Sequence, residues 1–180
     1  MRLTAHTDYA MRILLHAEAA RQRDPRLLLS IAEVARAHDI SRNHAMKIVS
    51  HLGHAGFLET VRGRSGGFRL AREPETIRIG AVVRSTEPCL APALCETCAL
   101  NGACGFSTML DKAVAAFLAV LDDCTLADAA RTTRIDLTGG GPAGSLGLPA
   151  DNKLAQQTEE ERLDDYPIPG TGTARRAFSS

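Results

Sequence analysis

The stretch SRNHAMKIVSHLGHAGFLETVRGRSGGFRL, residues 41–70, decides the fold of this chain. Its first part begins with a serine that can cap a helix and continues with Ile48, Val49 and Leu52 on one face, which predicts an α-helix. Its second part places two β-prone runs, LETV and FRL, on either side of the turn-rich segment RGRSGG, which predicts a β-hairpin. A capped helix followed directly by a basic, glycine-rich hairpin is typical of a winged helix-turn-helix.

The residues before this stretch supply the other helices of the motif. Residues 8–20 carry an apolar stripe at helical spacing, and Thr7 is their expected N-cap. A second helix is expected to begin at Ser30, which stands three residues before Glu33 as in a capping box. After the hairpin, a short helix is expected around residues 79–87.

A long helix is predicted over residues 107–123. Four apolar residues recur there at intervals of four, three and four, as in the seam of a coiled coil: Leu110, Val114, Phe117 and Leu121. We therefore expect a fold that is mainly α with a small β-wing, in which a winged helix-turn-helix is joined to a long dimerisation helix.

These patterns divide the chain into four segments. Residues 1–84 form the expected winged helix-turn-helix DNA-binding domain, and residues 85–106 form a cysteine-rich loop. Residues 107–137 hold the dimerisation helix and a short C-terminal helix. From residue 138 to residue 180 the composition shifts to glycine, proline, serine and charge with little to bury, which predicts a flexible tail.

The net charge of zero hides an asymmetry along the chain. Residues 1–84 carry 14 Lys and Arg against 8 Asp and Glu, whereas residues 85–180 carry 7 against 13. A basic N-terminal half is expected of a surface that binds phosphates. The start of the chain lacks the apolar core of a signal peptide, and no apolar run reaches about 18 residues, so we expect a cytoplasmic protein without a membrane partner.

The residues expected to contact DNA lie in the helix that begins the deciding stretch and in the hairpin turn. A helix in the major groove presents its N-terminal residues to the base edges first. Arg42 or Asn43 could read a base, whereas Ser41 and the helix N-terminus suit a phosphate. Glycines in the turn let its arginines approach the DNA backbone or the minor groove. The full expected set is Ser41, Arg42, Asn43, His44, Lys47, Arg62, Arg64 and Ser65.

Four cysteines fall within 16 residues: Cys89, Cys95, Cys98 and Cys104. In a cytoplasmic chain, thiolates this close together favour a metal site over disulfides. Soft sulfur ligands suit zinc or an iron–sulfur cluster, and the spacing alone does not separate the two. A thiol–disulfide switch and a thiol oxidoreductase are the other interpretations, although the second needs a βαβ setting that the sequence does not offer. Cys124 stands apart and is expected to pack.

Three segments of the chain resemble the NsrR and IscR family of iron–sulfur winged-helix repressors. They are TDYAMRILLH, ISRNHAMKIVSHLGHAGFLETVRGRSGGFRLAR and FLAVLDDCTLADA, and the resemblance covers about residues 1–130, most closely to the nitric-oxide-sensitive NsrR branch. It implies a homodimer crossed through the long helix, with one cluster per subunit, either 4Fe–4S or 2Fe–2S. It also implies binding to palindromic promoter DNA, with repression lifted when nitric oxide attacks the cluster.

The resemblance further implies a set of cluster ligands. Family members use three cysteines of which the last two are separated by five residues, and Cys98 and Cys104 match that pair. Counting forward from the preceding Glu-Pro pair favours Cys95 as the first ligand, and Cys89 is the alternative. NsrR-like members can take a further ligand from an N-terminal aspartate that reaches across the dimer, and Asp8 matches it. The ordinary interpretation of Asp8 is an acid favoured by the dipole at a helix N-terminus.

Overall fold

The computed structural model describes residues 3–63, 66–90 and 104–133. These residues are mainly helical with one two-stranded sheet, so the predicted fold class is confirmed. Within the described ranges, no helix combines the length and the apolar character needed to cross a bilayer. The elements are α1 (Ala5–Arg23), α2 (Ile31–Ala37), α3 (Arg42–His54), β1 (Leu58–Val61), β2 (Gly67–Leu70), a 3-10 turn (Pro74–Thr76), α4 (Ile79–Thr86), α5 (Gly105–Asp123) and α6 (Leu126–Thr132).

The helix N-caps agree with the sequence at α3 and differ at α1 and α2. Ser41 caps α3, since its hydroxyl accepts a hydrogen bond from the backbone N–H three residues ahead. The cap of α1 is Thr4, which accepts from the N–H of Thr7 at 3.4 Å, so Thr7 belongs to the first turn. Ser30 stands at the cap of α2 without a side-chain cap hydrogen bond, so the predicted capping box with Glu33 is not formed.

The wing is anchored to the chain segment that precedes α2. Strands β1 and β2 pair antiparallel, with Leu58 opposite Leu70. Leu29 adds a bridge on the other side of β2, because it exchanges backbone hydrogen bonds of 2.8 and 3.0 Å with Phe68. A Cβ at Gly67 would lie 2.5 Å from the Leu29 carbonyl oxygen, so glycine is needed for this close approach.

The hydrophobic core lies between α1, α3, β2 and the helices that follow the wing. Its largest fully buried apolar side chains are Ile13, Leu14, Val34, Ile48, Leu52, Phe68, Ile77, Val82, Val83 and Leu126. The last of these belongs to α6, whose first residue also donates its N–H to the Ile77 carbonyl at 2.8 Å. The chain therefore returns to the winged domain after α5, and α6 is part of the same core.

Helix α5 contacts α4 near its own C-terminal end. Arg84 of α4 forms an ion pair with Asp122 of α5, and the Nη1 and Oδ1 atoms lie 2.7 Å apart. Gly80 lies beneath this pair, where a Cβ would be 2.1 Å from the Asp122 Oδ1 atom. The ion pair and the close approach together fix the end of α5 against the winged domain.

Candidate nucleic-acid interface

The exposed face of α3 begins at its cap and continues for two turns. The opposite face is in the core, where Ile48 is fully buried and Val49 is 2% exposed. Because the inner face is packed, the helix is fixed on the core and its outer residues are directed away from the core. The side chains exposed on this outer face, here called the recognition face, are Ser41, Arg42, Asn43, Met46, Lys47 and Ser50.

His44 does not belong to the recognition face, although it was expected to contact DNA. Its side chain is 8% exposed and faces inward, next to the fully buried Ala45. The imidazole ring meets the ring of Tyr9 edge-on, with the ring centroids 5.6 Å apart. The ring therefore packs between α3 and α1, and the expected DNA contact of His44 stays a prediction that this burial does not favour.

One of the three DNA contacts expected in the wing is described by the structure. Arg62 follows β1 and is exposed. Gly63 has a φ of +117°, a conformation that favours glycine and that turns the chain out of the strand. Arg64 and Ser65, the other two expected contacts in the wing, lie outside the described residues.

Arg72 joins the wing to the C-terminal end of α3. Its Nε atom donates to the Gly56 carbonyl at 2.8 Å, and its Nη2 atom donates to the Ala55 carbonyl at 3.1 Å. The guanidinium also lies over the ring of Phe57, 5.2 Å from the centroid. A cation at the C-terminus of a helix is favourable because the last carbonyls carry partial negative charge. The recognition helix and the wing are thus tied directly to each other.

Two of the three described cysteines lie near the ends of the cysteine-rich loop. Cys89 is exposed after α4, and Cys104 stands half-buried at the N-cap position of α5. Cys95 and Cys98 lie outside the described residues. Cys124, which was expected to pack, is exposed at the C-cap of α5.

The start of α1 is hydrogen-bonded to the end of α4. The backbone N–H and the hydroxyl of Thr4 both donate to Oε1 of Glu87, at 2.9 and 3.1 Å. The hydroxyls of Thr7 and Thr86 lie 2.8 Å apart and are buried. Since Cys89 follows Glu87 by two residues, the beginning of the cysteine-rich loop is attached to the first turn of α1.

Asp8 lies in that first turn and is exposed. Its carboxylate forms an ion pair with Arg12 one helical turn later, with Nη2 and Oδ2 2.6 Å apart. In the part of the chain that the structure describes, no group of three or more His, Cys, Asp or Glu side chains could hold a metal ion. The structure of one subunit therefore does not bring Asp8 together with Cys89 and Cys104.

Buried and half-buried histidines form a second set of polar contacts that the sequence did not reveal. The Nε2 atom of His6 lies 3.0 Å from Nδ1 of His51, whose Nε2 atom lies 3.2 Å from the hydroxyl of Ser85. Burial, and then the charge of His51, lower the pKa of His6 to about 4. This network joins α1, α3 and α4. The sequence showed six histidines confined to the N-terminal half, but it gave no pairing between them.

A second histidine pair joins α1 to the turn between α2 and α3. His16 Nδ1 lies 3.0 Å from His38 Nε2, and the next residue, Asp39, has a φ of +54°. Burial, and then the charge of His38, lower the pKa of His16 to about 4. Burial and the charge of Arg12 also lower the pKa of His38. Both rings are therefore neutral at pH 7, and they position the turn of the helix-turn-helix.

Helix α5 exposes an apolar stripe. No residue of α5 is fully buried, and the seam predicted from its sequence is only half-buried. Phe106, Met109 and Val120 are 65%, 68% and 65% exposed. Together with two exposed alanines they recur at intervals of three and four residues, and this set is here called the α5 stripe: Phe106, Met109, Ala113, Ala116 and Val120.

The chain and its fold are similar to those of known transcriptional regulators. Residues 3–132 match the Rrf2 family, described as iron-dependent transcriptional regulators. The chain is 43% identical over 133 residues to the HTH-type transcriptional regulator NsrR of Bacillus subtilis (strain 168). It is 44% identical, also over 133 residues, to the regulator of the same name from Halalkalibacterium halodurans. Each match covers 71% of this chain and 89% of the relative.

Two solved structures share the fold. CymR (YrzC), the global cysteine regulator of B. subtilis, superposes with a TM-score of 0.60 at 24% identity, over 74% of this chain and 99% of CymR. IscR of T. potens superposes with a TM-score of 0.58 at 24% identity, over 73% of this chain and 87% of IscR. At these identities the likeness shows the fold alone, and it confirms the winged-helix architecture.

Proposed function

Since this chain belongs to the Rrf2 family of transcriptional regulators, we propose that it is a repressor that binds palindromic promoter DNA as a homodimer. In this proposal an iron–sulfur cluster held by the cysteine-rich loop controls the binding. The relatives are regulators and not enzymes, and the same holds for this protein. The observation that carries the DNA-binding proposal is the recognition face, which is exposed and mostly polar on a helix whose inner face is packed.

The recognition face suits the major groove in both shape and chemistry. Arg42 and Asn43 lie in the first turn of α3, where side chains reach the base edges, and Lys47 lies one turn further along for a phosphate. The exposed Arg62 stands at the wing, from which it can reach the DNA backbone or the minor groove. Arg69 is less suited to this role, because it is paired with Glu59 at 2.9 Å on the neighbouring strand.

Gel-shift titration of arginine variants tests this assignment. Arg42→Ala should relax the sequence preference, and Arg64→Ala should weaken binding to all sequences. Each should reduce the binding free energy by about 1–3 kcal/mol, and Arg64→Ala should also reduce the salt dependence of binding. Arg131→Ala is the matched control, because Arg131 is exposed on α6, outside the helix-turn-helix. Unchanged affinity and specificity in both test variants would contradict the proposed interface.

The homodimer is proposed to form through α5. The α5 stripe is the reason: a subunit that left it in water would expose several large apolar side chains on one helix. Two-fold symmetry about this helix would place two recognition helices about 34 Å apart, one turn of DNA. A palindromic promoter sequence follows from the same symmetry.

The donor chemistry of the loop fits an iron–sulfur cluster. Cys89 and Cys104 are an exposed and a half-buried thiol at the two ends of the loop, and thiolates are the ligands that such clusters prefer. Cys98, Cys104 and either Cys95 or Cys89 are the proposed cysteine ligands. Asp8 of the other subunit is the proposed oxygen ligand, since its carboxylate is exposed and Arg12 holds it in place.

When bound, the cluster would supply iron that a small molecule such as nitric oxide can reach. We propose nitric oxide as the effector that relieves repression, with oxidative or iron stress as the alternative signals. An aspartate is a weaker ligand than a thiolate, so the iron that Asp8 would hold is the one that a small molecule could reach by displacing its ligand. The protein's own contribution is the attachment of the loop to α1 and α4 through Thr4 and Glu87.

Five single alanine variants, purified without oxygen, test the cluster assignment. Visible absorption, iron, zinc and sulfide content and promoter affinity are measured for each. Changes at Cys98 and Cys104 should abolish the cluster. Only one of Cys89→Ala and Cys95→Ala should do so, and we expect it to be Cys95→Ala. Asp8→Ala should keep a cluster that decays faster.

Cys124→Ala is the matched control for these variants, because Cys124 is an exposed thiol outside the loop. It should retain the cluster and the promoter affinity of the unaltered chain. Zinc without sulfide in the unaltered protein would instead support a zinc-stabilised regulator, and neither metal nor sulfide would support a thiol–disulfide switch. If the Cys98 or the Cys104 variant kept the visible absorption and the promoter affinity of the unaltered protein, the cluster proposal would be contradicted.

A further inference from the structure

An apolar side chain stands in the middle of the recognition face. Met46 is 50% exposed. It lies one turn after Arg42 and Asn43, beside Lys47, and one turn before Ser50, all of which are exposed. The surface intended for DNA is therefore not uniformly polar, and the thioether lies at its centre.

The fold itself does not account for Met46. The residues that pack α3 onto the core are Ala45, Ile48 and Val49, which are at most 2% exposed. Leaving half of a methionine in water forgoes part of the stabilisation that burial of apolar area provides. An apolar group at this place on a DNA-reading helix is explained if the bound DNA covers it.

The major groove offers one apolar feature at the base edges, the 5-methyl group of thymine. Methionine suits this contact because its side chain is unbranched, flexible and polarisable, so it can adapt to a methyl group at several positions. A helical turn rises about 5.4 Å, so Met46 would meet the DNA about one or two base pairs from the pair read by Arg42.

We propose that Met46 is a specificity-determining residue that contacts the 5-methyl group of a thymine in each half-site. The inference rests on the proposed binding of DNA by α3. It adds an apolar contact with DNA to the contacts proposed for the charged and amide side chains of this helix. It predicts that the preferred half-site contains a thymine at a fixed distance from the base read by Arg42 or Asn43.

The test compares thymine with deoxyuridine, which lacks only the methyl group. The full-length protein first selects its tightest duplex from a random library, and each thymine of that duplex is then replaced in turn by deoxyuridine. At one thymine per half-site the replacement should weaken binding about threefold to tenfold. For Met46→Ala the same replacement should change the affinity by less than about twofold.

Leu27→Ala is the matched control, because Leu27 is an apolar side chain 43% exposed in the loop after α1. It should retain the discrimination between thymine and deoxyuridine. Circular dichroism and sedimentation of Met46→Ala should match the unaltered protein, since the side chain is not in the core. A Met46→Ala protein that no longer dimerises would assign Met46 to a protein contact and overturn the inference.

Two further outcomes separate this inference from the function on which it rests. If the protein selects no duplex above the random background, the proposed DNA binding itself fails. If it selects a duplex but is insensitive to every deoxyuridine replacement, or if Met46→Ala keeps the discrimination, the thymine contact is overturned while DNA binding stands.

Discussion

The Nε2 atom of His6 and the Nδ1 atom of His51 lie 3.0 Å apart, so the first helix and the recognition helix share a hydrogen bond between two imidazole rings. The second nitrogen of His51 lies 3.2 Å from the hydroxyl of Ser85, in the last turn of α4. One of the two imidazole nitrogens must donate and the other accept, which requires an unprotonated nitrogen. The pair therefore depends on neutral histidine, in agreement with the lowered pKa of His6 and of His51.

His51→Ala should lower the free energy of unfolding by about 1–3 kcal/mol, because it removes both hydrogen bonds and part of the packing between α1, α3 and α4. Urea unfolding followed by circular dichroism measures the change. His54→Ala is the control on the same helix: His54 is exposed, and its loss should change stability by about 0.5 kcal/mol or less. Equal effects of the two variants would show that the buried pair contributes no stability of its own.

The His16–His38 pair predicts a loss of stability in mild acid. The pKa of His16 is about 4 in the folded protein against 6.5 in the unfolded chain, so the unfolded chain takes up the proton first. The stability that depends on a neutral His16 is fully present above pH 6.5. It is lost as the pH falls towards 4, and the free energy of unfolding then decreases by up to about 3 kcal/mol. His16→Gln should flatten the pH dependence of unfolding relative to His54→Gln. Parallel curves for the two variants would argue against this linkage.

The sequence predicted the elements whose signals are local. Ser41 caps α3 because a serine before a helical run has its own first turn as partner, and the hairpin forms where the glycines permit the turn. At α1 two threonines stood three residues apart, and the structure uses Thr4, which is also held by Glu87 from α4. That partner is distant in the sequence, so helix patterns could not identify it.

Helix α3 shows how the structure adds to a choice of site residues made from residue type. His44 stands four residues before the buried Ile48, so helical periodicity alone places it on the inner face, although its polarity suggested a DNA contact. Met46 was not among the expected contacts, and it stands on the outer face, 50% exposed. The ligands Cys95 and Cys98 stay predictions, since they lie outside the described residues.

Breaking the α5 stripe should separate the subunits without unfolding them. Met109→Asp places a charge on a side chain that is 68% exposed in one subunit, so the fold tolerates it, whereas a dimer interface would have to desolvate the charge. Sedimentation velocity at micromolar concentration should show a monomer. Lys112→Asp, at an exposed position of the same helix outside the stripe, should remain a dimer. A dimeric Met109→Asp protein would place the interface elsewhere.

Gly67→Ala should destabilise the wing, because the added Cβ would lie 2.5 Å from a backbone oxygen, that of Leu29. Displacing backbone costs about 1–3 kcal/mol in tightly packed regions, and DNA affinity should fall with it. Gly105→Ala is the control, since nothing lies within 4 Å of its added Cβ and alanine favours the helix. Thermal denaturation of both variants decides the point: similar melting temperatures would mean that the segment at Leu29 moves away at no cost.

Removal of residues 138–180 should leave the regulator intact. A chain ending at residue 137 retains all of α6 and should keep the cluster, the dimer and the DNA affinity of the full chain. A chain ending at residue 124 lacks the fully buried Leu126 and should be less stable by about 2–5 kcal/mol, the cost of emptying a leucine site. Loss of DNA binding in the longer of the two chains would show that the tail takes part in function.

The hydrogen bonds from Arg72 to the last carbonyls of α3 affect which spacing between two DNA half-sites the protein can bind. The wing is also bridged to Leu29, so hydrogen bonds link the end of α3, the wing strands and the segment before α2 within one subunit. Inserting one base pair between half-sites displaces one of them by about 3.4 Å along the axis and by about a tenth of a turn around it. In the proposed dimer these links would keep α3 and the wing strands together, so the tolerated spacing between half-sites would depend on the angle at which the two subunits meet.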